Sequence, residues 1–188
     1  MARRKIRVIG GGFVGSTTAQ RLAEKELGDV VLVDIVEGMP QGKALDLSQA
    51  GPVCGYDSCV TGANDYASLA GADLVIITAG MPRKPGMDRS DLLKINGEIQ
   101  QKVVSGIMEY APEATLVIVA KPHDVTRIVA HQVSALPTNK AVGMAVVLDP
   151  ACSRTFILIA LAFSHKATPA LSSVRPLSPS APACPLPR

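Results

Sequence analysis

The sequence predicts an α/β fold organised as a doubly wound parallel sheet. Short runs of β-branched and other apolar residues alternate with longer helical stretches over roughly the first 150 residues. Several runs are apolar at every position, which is typical of parallel strands covered on both faces. A glycine-rich turn follows the first run and opens a helix. With 188 residues, 47% of them hydrophobic, the chain is expected to hold one such domain, or one plus part of another.

The strands and helices follow from these runs and from the residues at their ends. Strands are predicted at 6–9, 30–33, 74–78, 115–120 and 141–147, with a weaker one at 58–61. A helix over 13–27 is expected to end at Gly28, because glycine suits a C-terminal cap. Another helix is predicted over 40–51, because proline favours the start of a helix and glycine its end.

The composition of the chain changes once, between about residues 150 and 165. The last acidic residue is Asp149, and the segment 165–188 contains six prolines and four serines. Such a segment favours disorder. The predicted organisation is a folded domain over 1–149, a helical remnant over 150–163 and a Pro/Ser-rich disordered tail over 164–188. A shifted reading frame or early termination of the coding sequence is one hypothesis for the change.

Composition also argues against several classes of protein. The chain has no Trp, three Tyr and three Phe, which argues against a base-stacking surface for single-stranded nucleic acid. The first 149 residues are nearly neutral and offer no basic patch. The longest apolar run, over 156–163, is too short to span a membrane, and the apolar stretch near the start ends at Gly10, so we expect a cytoplasmic protein. The four cysteines lack the paired spacing of a metal site.

The first strand–helix turn carries the pattern of a dinucleotide site. Gly10, Gly12 and Gly15 fit G-x-G-x-x-G, and Gly11, Phe13 and Val14 complete the turn. The first glycine allows a tight turn, the second lets the backbone approach a pyrophosphate, and the third lets the helix pack close to the strand. The helix N-terminus then offers unpaired N–H groups to the phosphates. The alternative is a glycine-rich turn with a purely structural role.

Asp34 favours the dinucleotide interpretation and indicates which dinucleotide is bound. It ends the second predicted strand, 19 residues beyond Gly15. A carboxylate at this place accepts hydrogen bonds from the adenosine ribose and repels a 2′-phosphate, so the sequence predicts NAD rather than NADP.

The segment after the strand at 74–78 has the residues of an anion-binding loop. Arg83, Lys84 and Arg89 surround two prolines and two glycines, and guanidinium groups bind carboxylates in bidentate fashion. These cations suit a small dicarboxylate, and the loop could close as a lid. Asp88 and Asp91 resemble a capping pair for the next helix. The alternative is a set of solvated surface charges, which we favour for Lys84.

Arg89 and Asn96 are seven residues apart and therefore share one face of that helix. Together with the loop they indicate recognition of an anion and an amide.

The chain closely resembles the lactate/malate dehydrogenase family, and within it the malate dehydrogenases. The matching segments lie at 10–15, 33–47, 61–66 and 78–92, and the likeness extends over residues 1 to about 160. The resemblance implies a Rossmann domain that binds NAD and is followed in relatives by an α+β substrate domain, which we expect to be missing here. It also implies oxidation of malate to oxaloacetate by hydride transfer, the reaction of the tricarboxylic acid cycle. Intact relatives form homo-oligomers.

The resemblance assigns roles to individual residues. It implies that Arg83 lies on the mobile loop and selects the substrate through its second carboxylate, and that Arg89 polarises the reacting carbonyl. Asn96 and Val119 would contact NAD. Asp149 matches the carboxylate that orients the catalytic histidine.

The chain departs from the family pattern at three places. Lys121 stands where an asparagine binds the substrate hydroxyl, and Cys152 stands where an arginine binds the first substrate carboxylate. The Gly-His-Gly-Asp segment that carries the catalytic histidine is absent, and the histidines present are His123, His131 and His165. The resemblance therefore leaves two hypotheses open: an NAD-dependent malate dehydrogenase, or a catalytically inactive NAD-binding fragment.

Overall fold

The computed structural model describes residues 3–83, 85–144, 151, 155 and 156. The chain divides into two units between Gly143 and Met144, and the architecture below is that of the first. The boundaries predicted at 149 and 163 fall among residues outside this description and stay predictions.

The described elements alternate between strand and helix along the chain. The strands are β1 Lys5–Ile9, β2 Asp29–Val33, β3 Val60–Ala63, β4 Leu74–Ile77, β5 Thr115–Ile118 and β6 Ala141–Gly143. The helices are α1 Phe13–Glu24, α2 Met39–Cys54, α3 Arg89–Tyr110 and α4 His123–Ser134, with a 3₁₀ turn at Tyr66–Leu69. The weaker strand predicted at 58–61 is found two residues later, and residues 145–147 of the last predicted strand lie outside the description.

All six strands form one parallel sheet in the order β3-β2-β1-β4-β5-β6. The chain moves outward from β1 to β3, returns to the centre at β4 and then moves outward on the other side. The doubly wound α/β prediction is therefore confirmed, and the order is that of a Rossmann domain.

The sheet separates two apolar cores. One contains Val8 and Leu32 from the strands with Ala19 and Ala23 from α1. The other contains strand residues such as Ile77 and Leu116, together with Val104 and Ile107 from α3 and Ala130 from α4. Because neighbouring residues of each strand enter opposite cores, the central strands are apolar at nearly every position.

Arg7 is an exception to the apolar interior. Its side chain lies in the middle of β1 and the residue is only 8% exposed. Its Nε donates to the Ser68 carbonyl at 2.8 Å. Burial lowers the pKa of the Arg7 guanidinium, and the nearby carboxylates of Asp29 and Asp73 oppose that shift. This buried cation thus ties the central strand to the 3₁₀ turn.

The helix ends differ from their prediction. α1 ends at Glu24, and Glu26 rather than Gly28 has positive φ, so the predicted glycine cap is wrong. Gly28 serves another purpose, since a Cβ there would lie 2.3 Å from the Arg4 carbonyl oxygen. α2 does not end at Gly51. It continues through Pro52 to Cys54 and ends at Gly55, which has φ +76.

Candidate functional site

The order of the strands places a crevice at the carboxyl end of the sheet. β1 and β4 lie side by side at its centre, and the connections that leave them turn in opposite directions. Such a switch point opens a cleft beyond the strand ends. The segments that follow β1, β2, β4 and β5 therefore meet at one edge, and they contain the predicted cofactor residues.

The glycine-rich turn has the geometry that the sequence predicts. Gly10 has φ +104, and its N–H donates to the Val33 carbonyl at 2.8 Å. A Cβ on Gly15 would lie 1.8 Å from the Gly10 carbonyl oxygen, so only glycine lets α1 pack so close to the end of β1. A Cβ on Gly12, in contrast, would meet nothing within 4 Å. The turn is thus closed toward the sheet and open at Gly12.

The open side of the turn coincides with the N-terminus of α1. Gly12 is the N-cap residue, and the first turn has no side-chain cap and no acidic residue. Its backbone N–H groups and the positive end of the helix dipole can therefore meet an anion. Phe13 is 93% exposed and Val14 is 57% exposed, so both side chains lie at the surface beside this position.

Asp34 lies directly after β2 and contacts the glycine-rich turn. Its Oδ2 accepts a hydrogen bond from the Gly11 N–H at 2.5 Å, and its Oδ1 accepts one from the Val36 N–H at 3.0 Å. Two carboxylate oxygens offer about four acceptor positions. Asp34 thus holds the turn and retains capacity to accept hydrogen bonds from a ligand.

Sequence reasoning missed three side chains that hold this region. Asn64 Nδ2 donates to the carbonyls of Asp34 and Val36, at 2.7 and 3.0 Å. Thr78 Oγ1 lies 3.0 Å from the Gly10 carbonyl oxygen, and Lys43 Nζ lies 2.6 Å from that of Gly11. The sequence feature that could have identified Asn64 is its position one residue after β3, because the carboxyl ends of parallel strands lie at the same edge of the sheet.

The loop between β4 and α3 carries Arg83 at the surface. Arg83 is exposed, and its Nε donates to the Met87 carbonyl at 3.3 Å. Among the residues described it forms no ion pair. One bond of the predicted capping pair is present, because Asp91 Oδ2 accepts a hydrogen bond from the Asp88 N–H at 3.3 Å. Lys84 and the side chain of Arg89 lie outside the description.

Asn96 joins the two loops that border the crevice. It is 3% exposed, and its Oδ1 accepts from the Met81 N–H at 2.7 Å. Its Nδ2 donates to the carbonyls of Met81 at 3.1 Å and Lys121 at 2.8 Å. These bonds fasten the β4–α3 loop to the segment after β5. A direct contact of Asn96 with NAD stays a prediction.

Replacing Asn96 with alanine is expected to lower the free energy of unfolding by about 2 kcal/mol, because three hydrogen bonds worth about 1 kcal/mol each are lost and water partly replaces them. Urea unfolding followed by far-UV circular dichroism measures the change. Gln101→Ala, which removes an exposed amide from the same helix, is the control and should change stability by less than about 0.5 kcal/mol. Equal values for the two variants would contradict the linking role.

The segment after β5 contains Val119 and the atypical Lys121. Val119 is half-buried and its N–H donates to the Ile77 carbonyl at 2.9 Å. The Lys121–Pro122 bond is cis, and the Lys121 side chain is exposed. His123 begins α4 with its Nδ1 buried and without a hydrogen-bond partner among the described residues, and His131 lies exposed on the same helix.

The remaining predicted residues cannot be placed. Asp149, Cys152 and His165 lie outside the described residues, so their roles stay predictions. In the part of the chain that the structure describes, Cys54 and Cys59 are exposed and unpaired, and no cluster of His, Cys, Asp and Glu could hold a metal ion. No helix in the described ranges is both long and apolar enough to cross a membrane.

Residues 4–143 match the family model described as lactate/malate dehydrogenase, NAD binding domain. The chain is 54% identical over 155 residues to a malate dehydrogenase of Roseiflexus sp. (strain RS-1), covering 82% of this chain and 50% of the relative. It is 49% identical over 172 residues to that of Geobacter sulfurreducens, covering 92% and 54%. The chain thus spans about half the length of the curated relatives it matches.

Solved structures show the same similarity. The malate dehydrogenase of Picrophilus torridus in its apo form superposes with a TM-score of 0.84 at 40% identity, covering 87% of this chain and 52% of that one. The lactate dehydrogenase of Cryptosporidium parvum, complexed with lactic acid and β-nicotinamide adenine dinucleotide, gives a TM-score of 0.83 at 45% identity with the same coverage.

Proposed function

The chain belongs to the lactate/malate dehydrogenase family, and from that premise we propose that it binds NAD(H) in the crevice at the carboxyl end of its sheet. The observation that carries the proposal is the open position at Gly12, which lies at an uncapped helix N-terminus. A pyrophosphate fits there, because no side chain keeps it from the backbone. Its oxygens can then accept hydrogen bonds from the backbone N–H groups at the start of the helix.

The adenosine ribose is assigned to Asp34. The hydrogen bond from the Gly11 N–H holds its carboxylate beside the glycine-rich turn. A single nucleotide could therefore place its phosphate at the turn and its ribose at Asp34. The carboxylate oxygens have acceptor capacity left for the ribose hydroxyls. A 2′-phosphate would meet a like charge, which supports NAD rather than NADP.

The whole protein is proposed to interconvert malate and oxaloacetate. NAD held at the glycine-rich turn and Asp34 would supply the hydride acceptor for C2 of malate, and the malate hydroxyl would lose its proton to a base. Arg83 supports a dicarboxylate substrate, since it is an exposed guanidinium on the loop bordering the crevice and can bind a second carboxylate in bidentate fashion. Arg89 is assigned to the reacting carbonyl and Asp149 to orienting the base. These roles, and a homo-oligomeric assembly, rest on the family resemblance.

Titration of the chain with NADH, followed by the fluorescence of the reduced nicotinamide, tests the cofactor assignment. We expect saturable binding. Oxidation of NADH on addition of oxaloacetate, followed at 340 nm, tests the reaction. Saturable binding without oxidation would favour the NAD-binding fragment over the enzyme, a result that Lys121 in place of the family asparagine would help to explain. Absence of binding by a folded chain would contradict the proposal.

Replacing Asp34 with serine is expected to weaken NADH binding about tenfold and to reduce the preference for NADH over NADPH. The physical reason is the loss of charge-assisted bonds to the ribose, worth about 1.5 to 3 kcal/mol, and of the repulsion toward a 2′-phosphate. The measurement is the ratio of the two dissociation constants. Asp34→Asn is the comparison variant, because it removes the charge and keeps one of the two oxygen acceptors that contact Gly11 and Val36. Unchanged affinity for both dinucleotides would contradict the ribose assignment.

A further inference from the structure

We propose that Lys43 is a positioning residue for the diphosphate of the dinucleotide: its ammonium group orients the glycine-rich turn and adds a positive charge beside it. The inference rests on the proposed function and extends it to a residue on α2 whose contacts reach the turn from outside the G-x-G-x-x-G segment. It is carried by the contacts of Lys43 Nζ with the Gly11 carbonyl oxygen at 2.6 Å and with Ser16 Oγ at 3.0 Å.

These contacts fix the turn from one side. Lys43 is half-buried, so its stem packs against the fold while its Nζ reaches the turn. Ser16 Oγ lies 2.9 Å from the carbonyl oxygens of both Gly11 and Gly12. Lys43 and Ser16 therefore form a small polar cluster with the turn, and both side chains contact the Gly11 carbonyl oxygen.

Holding that carbonyl also sets the direction of the next N–H. Among the described residues the one cis peptide is Lys121–Pro122, so the bond between Gly11 and Gly12 is trans. In a planar trans peptide the C=O and the N–H point in opposite directions. Because the Gly11 carbonyl points toward Lys43, the Gly12 N–H points away from it. The Gly11 N–H is meanwhile occupied by Asp34, so the Gly12 N–H is the next donor available to a phosphate.

The charge of Lys43 is also uncompensated by a direct partner. Within the described residues no carboxylate oxygen lies within 4.0 Å of its Nζ. An ammonium has three N–H donors, of which two have acceptors here. The positive charge therefore reinforces the positive end of the α1 dipole at the place where a diphosphate is proposed to bind.

The experiment compares Lys43→Met with the unmodified chain in binding NADH, ADP and adenosine, using NADH fluorescence and competition. We expect the dissociation constants of NADH and ADP to rise about tenfold in the variant, from the loss of charge-assisted interactions. Adenosine, which lacks phosphate, should bind equally to both. Lys43→Arg keeps the charge and donors and should restore NADH binding to within about threefold of the unmodified chain.

Lys25→Met is the matched control, because it removes the same charge from an exposed position just after α1. The helix separates it from Gly12 by about 20 Å, well beyond the screening length of about 8 Å at physiological ionic strength. It should not change the affinity for NADH.

Several results would overturn the inference. NADH binding unchanged in Lys43→Met would do so, as would an equal loss of adenosine, which would indicate general damage to the pocket. Failure of Lys43→Arg to restore binding in a folded chain would also count against it. Because the arginine variant keeps a positive charge and N–H donors at this position, it tests the idea even where Lys43→Met does not fold. If the unmodified chain binds no NADH, the proposed function and this inference fail together. If it binds and Lys43→Met binds as tightly, only the inference fails.

Discussion

Replacing Gly15 with alanine is expected to lower the free energy of unfolding by about 3 kcal/mol, the upper range for overpacking a close contact. The new Cβ would lie 1.8 Å from the Gly10 carbonyl oxygen and 2.8 Å from Thr78 Oγ1. The carbonyl belongs to the backbone and is bound by Thr78 at 3.0 Å, so it cannot rotate away as the end of a side chain could. α1 would have to move away from β1, and the packing of Ala19 and Ala23 would be lost with it.

The measurement is urea unfolding, in which the midpoint should fall by about 1.5 M for a slope of about 2 kcal/mol per molar urea. Gly42→Ala is the control, because Gly42 is an exposed glycine within α2 and a Cβ there meets nothing within 4 Å. That variant should gain about 0.5 to 1 kcal/mol of stability from helix propensity. A Gly15→Ala variant as stable as the unmodified chain would show that α1 does not need this close approach.

The sheet was predictable because its signal is local. A buried parallel strand must be apolar on both faces, so each run identifies a strand without knowledge of its neighbours. The ends of the helices were less predictable. Gly28 is placed suitably for a cap, but it is required instead by the close approach of Arg4, which comes from a different part of the chain. Pro52 suggests a helix end, yet α2 continues through it to Gly55.

The residues of the candidate site also fall into two groups: those that local sequence predicts, and those that depend on distant segments. Gly10, Gly15 and Asp34 were predicted from spacing, since the turn and the end of the next strand are a fixed number of residues apart. Lys43 and Asn64 were not predicted, because the local sequence does not indicate which distant carbonyl group each side chain contacts. Such contacts depend on how α2 and the end of β3 pack beside the turn, which is a property of the assembled fold.

Replacing Gly12 with alanine is expected to leave the chain as stable as before and to weaken NADH binding about hundredfold. Gly12 has φ −65 and ψ −172, which an alanine adopts without strain, and its Cβ would meet no protein atom within 4 Å. The methyl group would instead occupy the space proposed for the pyrophosphate. Displacing the phosphates from two backbone N–H groups, at about 1.5 kcal/mol or more each, gives the expected loss.

NADH titration measures the affinity, and urea unfolding of the same sample shows that the fold is intact. Gly42→Ala is again the matched control, because it adds the same methyl group in open space on α2 and should bind NADH as the unmodified chain does. The comparison with Gly15→Ala is informative, because the two glycines belong to one motif and lie three residues apart. We expect Gly15→Ala to lower stability and Gly12→Ala to weaken NADH binding. If Gly12→Ala were folded and bound NADH normally, the phosphates would have to bind elsewhere, and the role given to this turn would be wrong.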